Sequence, residues 1–219
     1  MSEGCSRTTA RRLIVFSRLP QLGLVKTRLA RELGDHAALQ IHMQLLNATL
    51  ALAQRVPHAQ HELRYAGEPG RQDSEAVCLL TRLRACDWLL APQCGADLGA
   101  RMHDALAQGL RAGKSAVLIG SDCPVFSGED LEEAFSALQC ADAVFSPAQD
   151  GGYALVGLAR EAPELFEQIE WGTQQVMSQT LTRAQALGLR VKLLRTVWDI
   201  DTPADLRRWR ALGSDGSGP

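Results

Sequence analysis

Short apolar runs alternate with amphipathic stretches of helical period along almost the whole chain, and that alternation leaves few architectures open. Runs at 13–16, 61–65, 88–91, 116–120, 143–146, 153–157 and 190–197 have strand length. Between them, 35–55, 74–84, 98–112, 129–138, 174–187 and 204–212 have helical spacing. In the first of these, Leu39, Met43, Leu46, Leu50 and Ala53 form one face, and Asp35 is placed to cap it. The pattern predicts an α/β fold, a mainly parallel sheet with helices on both faces. The link through Asp150-Gly151-Gly152 is too short for a parallel crossover, so a late antiparallel strand is expected. With 219 residues the chain has the length of one large domain. We expect that domain over 12–212, with flexible tails at 1–11 and 213–219.

Composition narrows the partners. A formal net charge of -2 gives no reason to expect nucleic acid or an anionic membrane surface. No apolar run approaches a membrane span, and the polar, basic start lacks the apolar segment of a secretory signal. The expected location is the cytoplasm. Of the six cysteines (Cys5, Cys78, Cys86, Cys94, Cys123, Cys140) no two form a C-x-x-C pair, so neither a zinc site nor a disulfide framework is expected. Most of them read as small buried hydrophobes. His58 and His61, in a polar connection, read as surface residues, and no Ser–His–Asp arrangement can be assembled.

Five segments carry groups suited to chemistry. The first runs Phe16-Ser17-Arg18-Leu19-Pro20-Gln21-Leu22-Gly23-Leu24-Val25-Lys26-Thr27-Arg28. It reads as strand, Pro/Gly loop, then helix, with Lys26, Thr27 and Arg28 in the first turn. Such a turn suits an anion such as phosphate, although a Lys and an Arg there are equally compatible with a solvated face. It is not a P-loop, because Val25 stands where that motif needs Gly. The second is Gly120-Ser121-Asp122-Cys123-Pro124, directly after an apolar strand. A carboxylate at the carboxyl end of a central strand suits a divalent cation that also touches phosphate oxygens; a helix cap or Asx turn is the structural alternative for Asp122. The third is Asp199-Ile200-Asp201-Thr202-Pro203. Alternation puts Asp199 and Asp201 on one face, and Thr202 caps a helix that opens on Pro203.

The fourth is Asp150-Gly151-Gly152-Tyr153, where the glycines permit a tight turn and leave room for a ligand. Asp150 is a candidate general base or a plain turn residue. The fifth is Gly95-Ala96-Asp97-Leu98-Gly99-Ala100-Arg101-Met102, a Gly-rich loop that opens a helix carrying Arg101 and is a candidate lining of a nucleobase pocket. Trp171-Gly172-Thr173 precedes a further helix, and Trp171 can stack on a ring or pack in the core.

In this order the segments resemble a bacterial family of small glycosyltransferase-like proteins of formerly unknown function, some associated with arsenosugar biosynthesis, within the nucleotide-diphospho-sugar transferases of GT-A type. They are also similar to the phospholactate and molybdenum-cofactor guanylyltransferases. The resemblance spans roughly 12–210. It implies a Rossmann-like GT-A sheet and nucleotide or phosphate contacts from Arg18, Pro20, Gly23, Lys26, Thr27, Arg28, Gly99, Arg101 and Ser121. It implies a divalent metal, Mg or Mn, at Asp122 with Asp201, and substrate contacts from Gly151, Gly152, Tyr153, Trp171, Thr173 and Asp199. Two positions depart from the family pattern: Arg18 stands in place of the usual Lys, and Gly172 in place of the usual Ser. The expected function is transfer of a sugar from a nucleoside-diphosphate sugar to a small-molecule acceptor, with Asp150 as base. The alternatives are a nucleotidyltransferase condensing a nucleoside triphosphate with a phosphorylated metabolite, and a non-catalytic nucleotide-binding module.

Overall fold

The structure, a computed structural model, describes residues 10–70 and 74–214. Seven strands form one sheet in the order β3-β2-β1-β4-β6-β5-β7. They are β1 (Ala10–Arg18), β2 (Ala59–Ala66), β3 (Leu89–Pro92), β4 (Lys114–Gly120), β5 (Ala143–Pro147), β6 (Tyr153–Leu158) and β7 (Val191–Leu193). β1 lies parallel between β2 and β4, and β6 runs antiparallel to both β4 and β5. The expected sheet and its late reversed strand are therefore present. The helices are α1 (Thr27–Leu33), α2 (Asp35–Gln54), α3 (Ser74–Ala85), α4 (Leu98–Arg111), α5 (Gly128–Ala137), α6 (Val176–Ala186) and α7 (Pro203–Ser214).

Alternation along β1 divides the core. Leu13 and Val15 face α2, α3 and α5, meeting Leu46, Leu50, Leu80 and Phe135. Ile14 and Phe16 face α4, meeting Met102, Ala105 and Leu106. A third cluster joins Leu29 of α1, Ile41 and Leu45 of α2, Leu206 of α7 and the buried Trp198 and Ile200. That cluster seats the first loop against the segment before α7. Gly109 lets α4 approach the sheet closely: a Cβ there would stand 3.0 Å from Ala116 Cβ.

A charged group lies between α4 and the sheet. Glu62, 2% exposed, accepts hydrogen bonds from Arg12 and Arg64, and Arg64 reaches Asp104 and Gln108 of α4. Removing one partner of a buried ion pair leaves the other charge desolvated and unmatched, which typically costs about 3–5 kcal/mol. Glu62→Ala is expected to lower the stability by that amount. Urea unfolding checks it; a loss below about 1 kcal/mol would mean that the two arginines find solvent.

Several expectations need correction. The strand expected over 190–197 is only Val191–Leu193, with one further bridge between Ala148 and Val197. Past Leu193 the regular ladder is interrupted, since Ser146 Oγ donates to the carbonyl of Arg195 at 2.7 Å, while the Arg195 side chain pairs with Asp130 of α5 and donates to the carbonyl of Val125 before that helix. Ala10 and Arg11, expected in a tail, belong to β1, and α7 extends to Ser214; the remaining tail residues, 1–9 and 215–219, lie outside the described residues. Asp35 is the first residue of α2, and Gly34 holds its cap position. A short 3₁₀ turn, Pro163–Phe166, was not expected. Cys78, Cys86, Cys94 and Cys140 are exposed, against the expectation of burial; Cys123 is buried, and Cys5 lies outside the described residues. His61 is half-buried and stacks on Trp88 at 5.2 Å rather than standing free on the surface. Among the described residues no helix is long and apolar enough to cross a membrane.

Candidate functional site

The loop after β1 is set by two left-handed residues, Gly23 (φ 75°) and Lys26 (φ 47°). Lys26 does not stand in the first turn of α1 but just before it, as its N-cap residue. A non-glycine residue in this conformation is uncommon, and here it turns the side chain inward. Lys26 Nζ donates to the carbonyl of Ile200 at 2.6 Å and lies 3.0 Å from Asp122 Oδ1 and 3.2 Å from Asp201 Oδ1. Its side chain is only 4% exposed. Arg28, 72% exposed, also reaches Asp201, at 3.3 Å.

Asp122 follows directly from β4. It does not cap α5: Ser127 does so, in a reciprocal box with Asp130. The backbone of Asp122 is tied to the segment before α7 by Ile200 N–H donating to its carbonyl at 2.9 Å. Alternation there buries Trp198 and Ile200 and turns Asp199 and Asp201 toward the ligand edge of the sheet. Thr202 and Asp205 cap α7 reciprocally, so Asp201 sits at a rigid junction.

Two cavities flank Asp122. The first, about 360 Å³, is lined by Arg18, Lys26, Thr27, Arg28, Arg101, Ser121 and Asp201 among others. The second, about 350 Å³, is lined by Asp150, Gly152, Tyr153, Trp171, Gly172, Thr173 and Asp199 among others. Leu98, Gly120 and Asp122 belong to both. Burial, with Asp201 and Asp150 nearby, pushes the Asp199 carboxyl up to about 6. Burial likewise raises the Cys123 thiol to about 12, and its Sγ donates to the carbonyl of Trp198, so it is no thiolate nucleophile near neutral pH.

Not every expected residue faces these spaces. Pro20 lines a separate cleft of about 70 Å³ against α2 and α3, and Gly23 shapes the loop. Gly99 is buried, and a Cβ there would stand 2.6 Å from the Trp171 ring; its lack of a side chain serves packing. Gly151 (φ 91°) has the Gln174 backbone where a Cβ would lie, so it docks the turn on the start of α6 and leaves no room there for a ligand. Ser121 lines the first cavity, but it is buried and its hydroxyl donates to Ser17 Oγ at 3.0 Å. Asp150 holds its turn by accepting from Gly152 N–H at 2.9 Å, and one edge of its carboxylate is used in doing so. Thr173 donates to the carbonyl of Glu170. Gly172 takes φ 80° with open space around it, a conformation that disfavours a serine.

Two further residues belong to the first cavity. His42 is buried on α2, its Nε2 lies 3.1 Å from the Arg18 carbonyl, and burial lowers its basicity. A polar residue among Ala38, Leu39, Ile41, Leu45 and Leu46 on the buried face was the available signal. Gln93 donates its side-chain amide to the carbonyls of Ser17 and Arg64, which leaves its oxygen free as an acceptor; no local pattern marked it.

Residues 49–173 match the profile of a family described as uncharacterized protein conserved in bacteria (DUF2064). The chain belongs to this family. A crystal structure from Desulfovibrio desulfuricans G20, provisionally described as a nucleotide-diphospho-sugar transferase, is 32% identical, with TM-score 0.78 over 89% of this chain and 83% of that one. Two more distant structures share the fold. CMP:2-keto-3-deoxy-manno-octonic acid synthetase, in complex with CTP, is 10% identical (TM-score 0.59; 94% and 99% covered). Rv0371c of Mycobacterium tuberculosis H37Rv, in complex with manganese, is 17% identical (TM-score 0.52; 91% and 97% covered). No curated protein matches the chain. The resemblance drawn from the motifs thus agrees with the family, and the GT-A-like α/β fold with its structural neighbours.

Proposed function

We propose that this DUF2064 protein is a transferase that uses a nucleoside-diphosphate sugar and passes the sugar to a small-molecule acceptor. The observation that carries this reading is the pair of cavities meeting at Asp122, the first of them bearing Arg18, Lys26, Arg28 and Arg101. The cationic cavity suits a diphosphate and its nucleoside, and the adjoining one suits the acceptor. The relative of D. desulfuricans, provisionally described as a nucleotide-diphospho-sugar transferase, supports the donor part of this reading. The CTP complex of the synthetase supports a nucleotide as ligand, and it keeps nucleotidyl transfer as the second reading.

A divalent cation fits the donor set. Asp122 and Asp201 already converge on one positive charge, the Lys26 ammonium, and Asp122 Oδ1 is buried without an aligned hydrogen bond. A hard cation takes oxygen ligands of this kind, and the manganese complex of Rv0371c is in keeping with it. Among the described residues no group of three or more His, Cys, Asp or Glu forms a metal cage, so phosphate oxygens or water would complete the coordination. When bound, the cation would stabilise negative charge on the departing diphosphate.

The chain's own groups do the rest. Arg18, Arg28 and Arg101 hold phosphate oxygens through charge-assisted hydrogen bonds. Asp150 accepts the proton of the acceptor hydroxyl as its oxygen bonds to the sugar's anomeric carbon. The bond from that carbon to the diphosphate oxygen breaks, and the nucleoside diphosphate leaves with the electron pair.

A thermal-shift panel tests the proposal. A ligand at about a hundred times its dissociation constant adds roughly 2.7 kcal/mol, and for a domain of this size about 2–4 °C per kcal/mol. A nucleotide sugar with Mn²⁺ is expected to raise Tm by about 5–10 °C, with loss of the metal dependence in Asp122→Ala. Pyrophosphate release from a nucleoside triphosphate and a sugar phosphate would establish nucleotidyl transfer instead. Stabilisation with no product from any donor would leave a binding module.

A further inference from the structure

Resting on the reading of the second cavity as the acceptor site, we propose that its acceptor carries a cationic group, such as an amine, on a ring-bearing or polyhydroxylated body, and no phosphate or carboxylate. The wall contains Asp122, Asp150 and Asp199, and none of its fifteen lining residues is Lys, Arg or His. Lys26, the cation held on Asp122, lines the other cavity, with its ammonium on two carboxylates and a carbonyl. Arg208 stacks on Trp198 at 4.2 Å and donates to Gln149, and it is not among the lining residues. Asp122 is matched by Lys26 or by a divalent cation, so Asp150 and Asp199 remain as the negative charge of the wall: an anionic acceptor would meet them as like charge, whereas an amine would find both carboxylates already in place.

The rest of the wall suits the body of such a molecule. Met102, Val176 and the Trp171 ring make an apolar side. Trp171 is held by Gly99 from behind and by the edge of Tyr153, with ring centroids 6.3 Å apart. Trp171 and Gly172 line the same cavity of about 350 Å³, so a sugar or other ring has room to lie against the indole. Aromatic faces bind both ring C–H surfaces and cations.

The test uses the Trp171 indole N–H resonance of the full-length ¹⁵N-labelled protein, assigned by its disappearance in Trp171→Phe. Trp171 lines the second cavity and not the first. D-Glucosamine, D-glucose and D-glucose 6-phosphate are titrated at pH 7 and constant ionic strength. The amine is expected to move the resonance with a Kd about tenfold below that of glucose, while the phosphate leaves it in place over the same range. Asp150→Asn is expected to reduce the amine preference to about threefold. The proposal is overturned if the phosphate moves the resonance at the concentration of the amine or below it, or if the amine fails to move it. The titration needs no donor and reads no turnover. A failure of donor binding in the thermal panel would therefore leave this result standing, and a failed titration would leave the donor reading standing.

Discussion

Asp150→Asn is expected to lower sugar transfer by about 10²–10⁴-fold, the usual contribution of a positioned general base. Asparagine keeps the size of the side chain and an oxygen that can accept from Gly152 N–H, so the turn and its contact with α6 should survive. Nucleotide affinity should stay within about twofold, because Asp150 lines only the second cavity. Nucleoside diphosphate release, measured beside nucleotide binding by calorimetry, separates the two effects. A variant that transfers at the normal rate would reduce Asp150 to a turn residue.

Lys26→Met should have two effects of opposite sign. In the empty protein the ammonium stands where Asp122 and Asp201 converge, so a divalent cation must compete with it. With methionine there, Mn²⁺ affinity of the ligand-free protein should rise by about tenfold. Nucleotide affinity in the presence of metal should fall by roughly tenfold to a hundredfold: a metal that takes the two carboxylates would free the Lys26 ammonium for a phosphate oxygen, and a charge-assisted hydrogen bond contributes about 1.5–3 kcal/mol. Without metal the variant places two carboxylates near each other with Arg28 as the remaining counter-charge, so added Mn²⁺ should recover lost thermal stability. If neither affinity moves, Lys26 only ties the first loop to Ile200 and Asp201.

Much of the fold was legible because its signals are local. The apolar run ending at Gly120 marked β4, the Asp150-Gly151-Gly152 link marked a reversal, and Thr202-Pro203 marked a helix start. Asp122 was legible for the same reason, as a polar group at the end of a buried strand. What escaped depends on partners far along the chain. Lys26 reads as a phosphate ligand or a solvated charge in a first turn, and its ion pairs appear only when Asp122 and Asp201 are brought to it. β7 ends early where Ser146 Oγ donates to the carbonyl of Arg195, whose side chain reaches Asp130 of α5. Gly99 reads as a ligand loop until Trp171 occupies the space above it. The exposed cysteines could not be read from residue type, since a cysteine's preference for burial is weak beside the packing of a particular helix face.

The reversed strand β6 has a consequence for how such a protein can diversify. Because β6 enters the sheet at its ligand edge, the turn before it reaches that edge beside the end of β4. The first cavity is built largely from segments up to Asp122, whereas the second draws most of its groups from 148–176 together with Asp199. On the proposed reading, donor choice and acceptor choice are encoded in largely different stretches of chain, joined at Asp122. Substitutions or loop exchanges within 148–176 could retune which molecule is modified without disturbing the machinery that grips the nucleotide.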